Sequence, residues 1–270
     1  MPELPELEVL KEEITSQVAG KRVAGVVLNK VGKTTLAGEE LIPQLRGSRL
    51  EGAQRRGKML VLSFDSGLSL MVHFMLIGYM GLVKGGPPNQ APLALQFEDG
   101  MTLEIKQVAL RSLHLLKRGE VETLPAIAQL GLDPLAPDFT VENLRQRLGK
   151  KGAIKALLRD QSLVAGLGNT YSDEVLFAAR IHPERDGCSL TPDEWAQLHS
   201  SIDHVLRKAI ELGGSSAEQF RHLDGSPGHY HEHYQAHRRG GEPCPRCGTP
   251  IVKAQRAGRS YYFCRQCQPL

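Results

Sequence analysis

The chain has no apolar run near the ~20 residues that a membrane-spanning helix needs. Its start lacks the basic stretch and long apolar core of a secretory signal. These absences predict a cytoplasmic protein with no membrane-spanning helix. Cysteine is scarce, with five in 270 residues, and a reducing compartment disfavours disulfides between them. Internal repeats and low-complexity segments are also missing, so repeat architectures are excluded. An excess of one charge is missing too: the net charge is +3, and the total says little about partners. What is present, 41% hydrophobic and 23% charged residues, fits a soluble globular chain with room for two ordinary domains.

The distribution of charge is more informative than its sum. From Arg238 onward there are seven Lys/Arg against one acid, Glu242, so this part carries +6 and residues 1–237 carry −3. A second basic run spans Arg145, Arg147, Lys150, Lys151, Lys155 and Arg159 without an acid. A third holds Arg46, Arg49, Arg55, Arg56 and Lys58, broken only by Glu51. If folding brings the three together, they make one surface for a polyanion; taken singly, each reads as a solvated face.

The stretch Met1-Pro2-Glu3-Leu4-Pro5-Glu6 concentrates two prolines and two glutamates. Removal of Met1 would leave Pro2 as a free secondary amine. An α-amino group titrates near pH ~8, about two units below lysine, so more of it is unprotonated and nucleophilic. Such amines form Schiff bases with carbonyl-like carbons, and Glu3 beside it suits the acid or base role that route needs. The same residues also suit a plain helix start, since proline and glutamate both favour the first turn.

Leu4, Leu7, Leu10 and Ile14 recur at helical spacing and predict a helix over 3–18, ended by Gly20. Short alternating runs then predict strands at Val23–Leu28, Met59–Phe64, Leu68–His73, Leu93–Phe97 and Met101–Ile105. Asp65-Ser66-Gly67 and Glu98-Asp99-Gly100 read as hairpin turns, and Gly85-Gly86-Pro87-Pro88 as a loop. The pattern predicts a β-sandwich with the first helix packed on it. A Pro- and Leu-rich stretch at 121–137 reads as a linker, and helices follow near 140–148, 152–159, 171–179, 191–212 and 215–222. Thr191-Pro192-Asp193-Glu194 is a strong N-terminal signal for one of them. Gly166-Leu167-Gly168-Asn169 places backbone N–H groups at a helix start, which favours phosphate. His222, His229, His231, His233 and His237 lie in a Gly- and Pro-containing segment. They read as a mobile loop with polar and aromatic contacts to a ligand, with metal ligation as the alternative.

Cys244-x2-Cys247 and Cys264-x2-Cys267 are two knuckles separated by sixteen residues. Four thiolates in this spacing are what tetrahedral zinc requires, and a closed set of four leaves no open position for catalysis. Ile251–Lys253 and Ser260–Phe263 read as the strands of a zinc ribbon, with Arg259 near the hairpin tip. Cys188 is left over and reads as a buried thiol.

Taken together, the chain from Met1 to Cys267 resembles the formamidopyrimidine-DNA glycosylase and endonuclease VIII family. The motifs that carry the resemblance are Pro2-Glu3-Leu4-Pro5-Glu6, Gln54-Arg55-Arg56-Gly57-Lys58, Ala153-Ile154-Lys155, Gly166-Leu167-Gly168-Asn169 and the ribbon with Arg259 five residues before Cys264. The resemblance implies an α+β fold. An N-terminal β-sandwich with its helix covers 1–120 and a linker 121–137. A helix–two-turn–helix DNA-binding domain with a lesion-capping loop covers 138–237, and a β-hairpin zinc ribbon 238–270. It implies a monomer acting on damaged double-stranded DNA, cytoplasmic and nucleoid-associated, with one structural zinc on Cys244, Cys247, Cys264 and Cys267.

By position, the resemblance makes Pro2 the nucleophile at C1′ and Glu3 the acid that assists ring opening. It makes Lys58 an acid for β-elimination, and Arg259 a phosphate holder serving δ-elimination. Glu6 corresponds to a structural, proton-relay carboxylate; Lys151 and Asn169 correspond to phosphate contacts, and Lys155, with His73, Leu76 and Arg111, to further DNA-binding positions. Oxocarbenium-like charge at C1′ is relieved by an incoming amine. The base must first be turned out of the stack, so the DNA must be gripped by its phosphates.

The sequence departs from the family in the residues that fill the gap left by the extruded base. The family reads His-x-x-Met-x-Gly in its first loop; here His73-Phe74-Met75-Leu76-Ile77-Gly78 puts Leu76 at that place. Its second loop reads Asp-Pro-Arg-Arg-Phe-Gly, where this chain has Lys106-Gln107-Val108-Ala109-Leu110-Arg111-Ser112. The arginine facing the orphan base becomes Ala109 or Leu110, and the phenylalanine place holds Arg111. A bidentate arginine is worth about 1–3 kcal/mol of base discrimination, so the change implies relaxed opposite-base recognition. The Asp224-Gly225-x-Pro227-Gly228 entry matches the capping loop of the oxidised-purine branch. The leading expectation is a bifunctional glycosylase and AP lyase for oxidised or ring-opened purines. The alternatives are an endonuclease VIII-like enzyme for oxidised pyrimidines and a damage-binding protein without base excision.

Overall fold

The computed structural model describes residues 1–29, 36–85, 91–256 and 258–270, without the side chain of residue 256. The chain forms two compact units, residues 1–128 with 212–229, and residues 129–211 with 230–270. Beyond Gly85, the loop expected at 85–88 lies outside the described residues.

The first unit opens with helix α1, Leu4–Gln17, which buries Leu4, Leu7, Leu10 and Ile14. Its start is fixed by a reciprocal capping box between Glu3 and Glu6, with a proline in the first turn. Among the described residues eight strands follow: β1 Val23–Leu28, β2 Leu50–Arg56, β3 Met59–Phe64, β4 Leu68–His73, β5 Tyr79–Lys84, β6 Leu93–Phe97, β7 Met101–Lys106 and β8 Leu113–Lys117. They build two antiparallel sheets, β1-β6-β7-β5 and β2-β3-β4-β8. Helix α1 packs chiefly on β2. The expected hairpins are present: Gly67 (φ 78°) and Gly100 (φ 81°) take the left-handed conformation that closes them. Strands β2, β5 and β8 are not apparent from sequence: Leu50–Arg56 and Tyr79–Lys84 mix glycine and charge into the apolar alternation, and Leu113–Lys117 is only five residues long with histidine and lysine in it. A short helix, α2 Pro125–Ala128, ends the first stretch of this unit.

The helix expected at 215–222 does not form. Its backbone groups find tertiary partners instead: Ser215 N donates to Glu6 Oε1 and Leu223 N to Glu13 Oε2. The segment 212–229 is an irregular strap of the first unit.

The second unit contains α3 Val141–Leu148, α4 Ile154–Arg159, α5 Asn169–Ala179 and α6 Pro192–Glu211. Thr191 and Glu194 cap α6 reciprocally, with Glu194 N donating to Thr191 Oγ1 and Thr191 N to Glu194 Oε2. Helices α5 and α6 pack together, and buried Trp195, Leu198, Ile202 and Leu206 recur along α6 at helical spacing. Strands β9 Val252–Arg256 and β10 Arg259–Phe263 form the terminal hairpin. Tyr262 and Cys264 from this end share an apolar cluster with Phe177 of α5 and Ala236. Cys188, expected to be buried, is exposed: it lies in a short 3-10 turn before α6 rather than in a core element.

Candidate functional site

In the first unit, Pro2, Glu3 and Glu6 are all buried at the start of α1. Glu6 holds this start in place. Its Oε2 accepts from Glu3 N at 2.8 Å, and its Oε1 accepts from Ser215 N at 2.8 Å. The Met1 ammonium reaches Glu218 Oε2 at 2.5 Å. The arrangement sets a carboxyl, Glu3, one residue from the prolyl nitrogen and closes the strap 212–229 beside it.

Lys58 sits in the two-residue turn joining β2 and β3, where Gly57 (φ 55°) makes the reversal possible. The lysine is buried, and its neighbour Met59 pairs with His73 across to β4. Burial, and then the positive charge of Lys58, push the His73 pKa below its ordinary value. His73 Nδ1 lies 3.1 Å from Met75 Sδ.

Beyond His73, the loop to β5 presents Met75, Leu76 and Ile77 to solvent; Leu76 is 71% exposed. It abuts the loop after β7, because a Cβ on Gly78 would lie 2.4 Å from Val108 Cγ1 and 2.4 Å from Phe74 O. In that second loop Leu110 turns into the core, Ala109 is half-buried and Arg111 is exposed. The apolar tip at Leu76 and the guanidinium-bearing Arg111 thus stand on two touching loops.

In the second unit, Lys155, Asn169 and Arg259 line one cavity of about 150 Å³ with Arg159, Ser260 and Tyr261. Asn169 Nδ2 donates to Ser260 O at 2.9 Å, tying the start of α5 to the ribbon hairpin. Among the described residues, Asn169 Oδ1 and Arg159 Nε are enclosed without a hydrogen-bond partner. Lys155 is buried, with Nζ 2.5 Å from Asp173 Oδ1 and 5.6 Å from the Tyr261 ring centre. His237 Nδ1 donates to Asp173 Oδ2 at 2.8 Å, and Tyr262 N donates to Oδ1 at 3.1 Å. Next along α5, the Glu174 carboxylate accepts from the N–H groups of Gln235, Ala236 and His237. Burial pushes the Glu174 pKa up. Lys151 is exposed in the loop before α4. Arg159 and Tyr261 do not stand out as cavity residues in the sequence, although Arg159 closes the acid-free basic run.

The four ribbon cysteines have all their Sγ atoms within 4.8 Å of one another. Cys244–Cys267 and Cys247–Cys264 are 3.9 Å and 3.5 Å apart. A tetrahedron with Zn–S of about 2.3 Å has edges of roughly 3.8 Å, so the sulfur cage fits zinc. A hydrogen bond with the Thr249 side chain leads the causes that draw the Cys247 thiol down to about 6, towards the thiolate a metal needs. Among the described residues this is the one cluster of three or more metal-ligating side chains, and the 222–237 histidines form none. Instead His222 pairs with Glu13 and His237 with Asp173.

A β-sandwich unit with a capped proline start, and a helical unit ending in a four-cysteine zinc ribbon, together define a zinc-bearing DNA glycosylase. Family models agree over nearly the whole chain. Residues 1–109 match the formamidopyrimidine-DNA glycosylase N-terminal domain, 130–221 its H2TH domain, and 241–270 the zinc finger found in FPG and IleRS. A formamidopyrimidine-DNA glycosylase of Chloroflexus aurantiacus is 39% identical over 99% of this chain and 98% of its own. The MutM (FPG) protein of Thermus thermophilus has a TM-score of 0.86 at 34% identity, covering 99% of this chain and 98% of its own. A Lactococcus lactis FPG variant in complex with Fapy-dG-containing DNA has a TM-score of 0.90 at 32% identity, covering 100% of both chains. The chain belongs to the formamidopyrimidine-DNA glycosylase family.

Proposed function

We propose that the protein is a bifunctional DNA glycosylase and AP lyase that removes oxidised or ring-opened purines from double-stranded DNA, acting as a monomer. The observation that carries this reading is the chain start: Glu3 is buried one residue from Pro2, and Glu6 fixes both through the capping box and the strap. Freed of Met1, the Pro2 nitrogen attacks C1′ as the glycosidic bond to the damaged base breaks. Glu3 gives a proton to the opening sugar. The resulting iminium acidifies C2′, the 3′ phosphate leaves by β-elimination, and the 5′ phosphate follows by δ-elimination. Lys58 serves the first elimination, and Arg259, beside Lys155 and Asn169 in their cavity, holds phosphate for the second.

Borohydride trapping tests the reading. Active protein leaves a covalent adduct with DNA bearing an abasic site or a ring-opened guanine, and intact mass shows a chain lacking Met1. Absence of any adduct from a correctly folded, zinc-loaded protein overturns it in favour of a damage-binding protein. The exposed Leu76, with Ala109 and Arg111 in the adjoining loop, supports relaxed opposite-base recognition. Excision from duplexes carrying each of the four opposing bases is then nearly equal, and a strong preference for cytosine refutes that part.

A further inference from the structure

Glu6 and Glu13 are seven residues apart on α1, about two helical turns, and so lie on one stripe. Both carboxylates hold the same crossing segment, Glu6 through one of its two oxygens and Glu13 through both. Glu6 Oε1 takes Ser215 N. Glu13 Oε1 lies 2.6 Å from His222 Nδ1, and Oε2 accepts from Leu223 N at 3.0 Å. A carboxylate only accepts, so Nδ1 carries the proton in this pair. Leu223 O then accepts from Leu82 N of β5 at 2.7 Å. The base of the strap is closed by His229 N donating to Leu212 O, and by Gly228 N donating to Ser216 Oγ. Gly228 fits so closely there that a Cβ would lie 2.0 Å from Gly213 O.

The strap is therefore fastened at Ser215 and again at His222–Leu223, and both fastenings lead back to the helix that begins at the nucleophile. Between them run Ser216–Arg221, and Glu218 in their middle reaches the nitrogen of Met1. Two N–H groups converging on the partly shielded Glu13 carboxylate make a charge-assisted fork that fixes direction as well as distance.

We propose that Glu13 and His222 are positioning residues for base recognition: they hold residues 216–221 as the wall that receives the extruded damaged base beside the N-terminal nucleophile. This role rests on the glycosylase reading above. A wall for the base matters only when a base is present. Base excision should depend on the pair, and strand cleavage at a ready-made abasic site should not.

The test uses the full zinc-loaded chain under single-turnover conditions. Two duplexes are compared, one with a ring-opened guanine and one with an abasic site. Glu13→Gln and His222→Leu are expected to slow excision at least tenfold while leaving abasic-site cleavage within twofold of the parent. His222→Asn, whose amide N–H can replace Nδ1–H, is expected to recover most of the loss. Equal losses on both substrates, or no loss on either, overturn the proposal; melting curves identify a variant that has simply failed to fold, and the other two then decide. If the parent chain cleaves neither duplex, the glycosylase reading falls first and the positioning role falls with it. An active parent with unaffected variants removes the positioning role alone.

Discussion

Lys155 and Asp173 form an ion pair in the second unit, with their side chains 8% and 0% exposed. Helix α4 supplies the lysine and α5 the aspartate, and His237 and the β10 backbone complete the carboxylate's partners. One aspartate thus links two helices, the segment before the ribbon and the ribbon itself. Removing one partner of a buried pair leaves the other charge unmatched, at about 3–5 kcal/mol. Asp173→Asn is expected to lower stability by about that amount in denaturant titration. It should also weaken DNA binding, because Lys155 shares its cavity with Asn169 and Arg259.

Lys58 and His73 give a prediction in pH. The His73 pKa is pushed below 6.5 first by burial and second by Lys58. The neutral ring is therefore favoured in the fold. Its contribution to stability is present above pH 6.5 and is lost as pH falls through the lowered value. Ring-proton NMR should place the midpoint below 6.5, and Lys58→Met should move it up without restoring 6.5, since the larger cause remains. His73→Gln should flatten part of the acid limb of the stability curve. Burial also lowers His182, so the limb does not vanish.

Zinc removal should undo the ribbon. Structural zinc contributes an apparent ~10–16 kcal/mol to small metal-held folds. Two of the four ligands, Cys244 and Cys264, belong to the cluster around Phe177 and Ala236. Elemental analysis should find one zinc per chain. Stripping it with a strong chelator should abolish most duplex binding, and added zinc should restore it.

The loop between β4 and β5 separates stability from activity. Leu76 is 71% exposed, so Leu76→Ala should leave the melting temperature nearly unchanged while slowing lesion excision about tenfold, a change of ~1.4 kcal/mol in barrier. Gly78→Ala should do the opposite kind of damage. Its Cβ meets backbone oxygen and Val108 at 2.4 Å, so the loop must shift and the fold should lose at least ~1 kcal/mol. Thermal melting and single-turnover excision, run side by side, check both.

Local signals are readable in the sequence and distant ones are not. Strands β1, β3, β4 and β6 match their sequence-predicted bounds, because apolar alternation between turn residues is a short-range pattern. The α6 cap is equally plain, since Thr191 and Glu194 satisfy each other. The four-cysteine cage is legible from two knuckles. The strap reads as a helix in sequence and is not one, because Ser215 and Leu223 find partners 209 and 210 residues away. Likewise no spacing rule announces that Lys155 will be buried against Asp173, 18 residues on, or that His237 will join them from 64 residues away. The basic run around Lys155 looks like one exposed face, yet tertiary pairing withdraws this lysine into the interior.

The strap also governs how the polypeptide can be dissected. The backbone passes between units after residues 128, 211 and 229, so the first unit is discontinuous in sequence. A fragment ending at 128 would retain Pro2 and Lys58 but leave Glu6 and Glu13 without Ser215, His222 and Leu223. During synthesis the unit that starts first must wait for all of α3 to α6 before it can be finished. Deletion mapping of this enzyme is therefore best done by grafting 212–229 back through a linker, not by cutting at a single boundary.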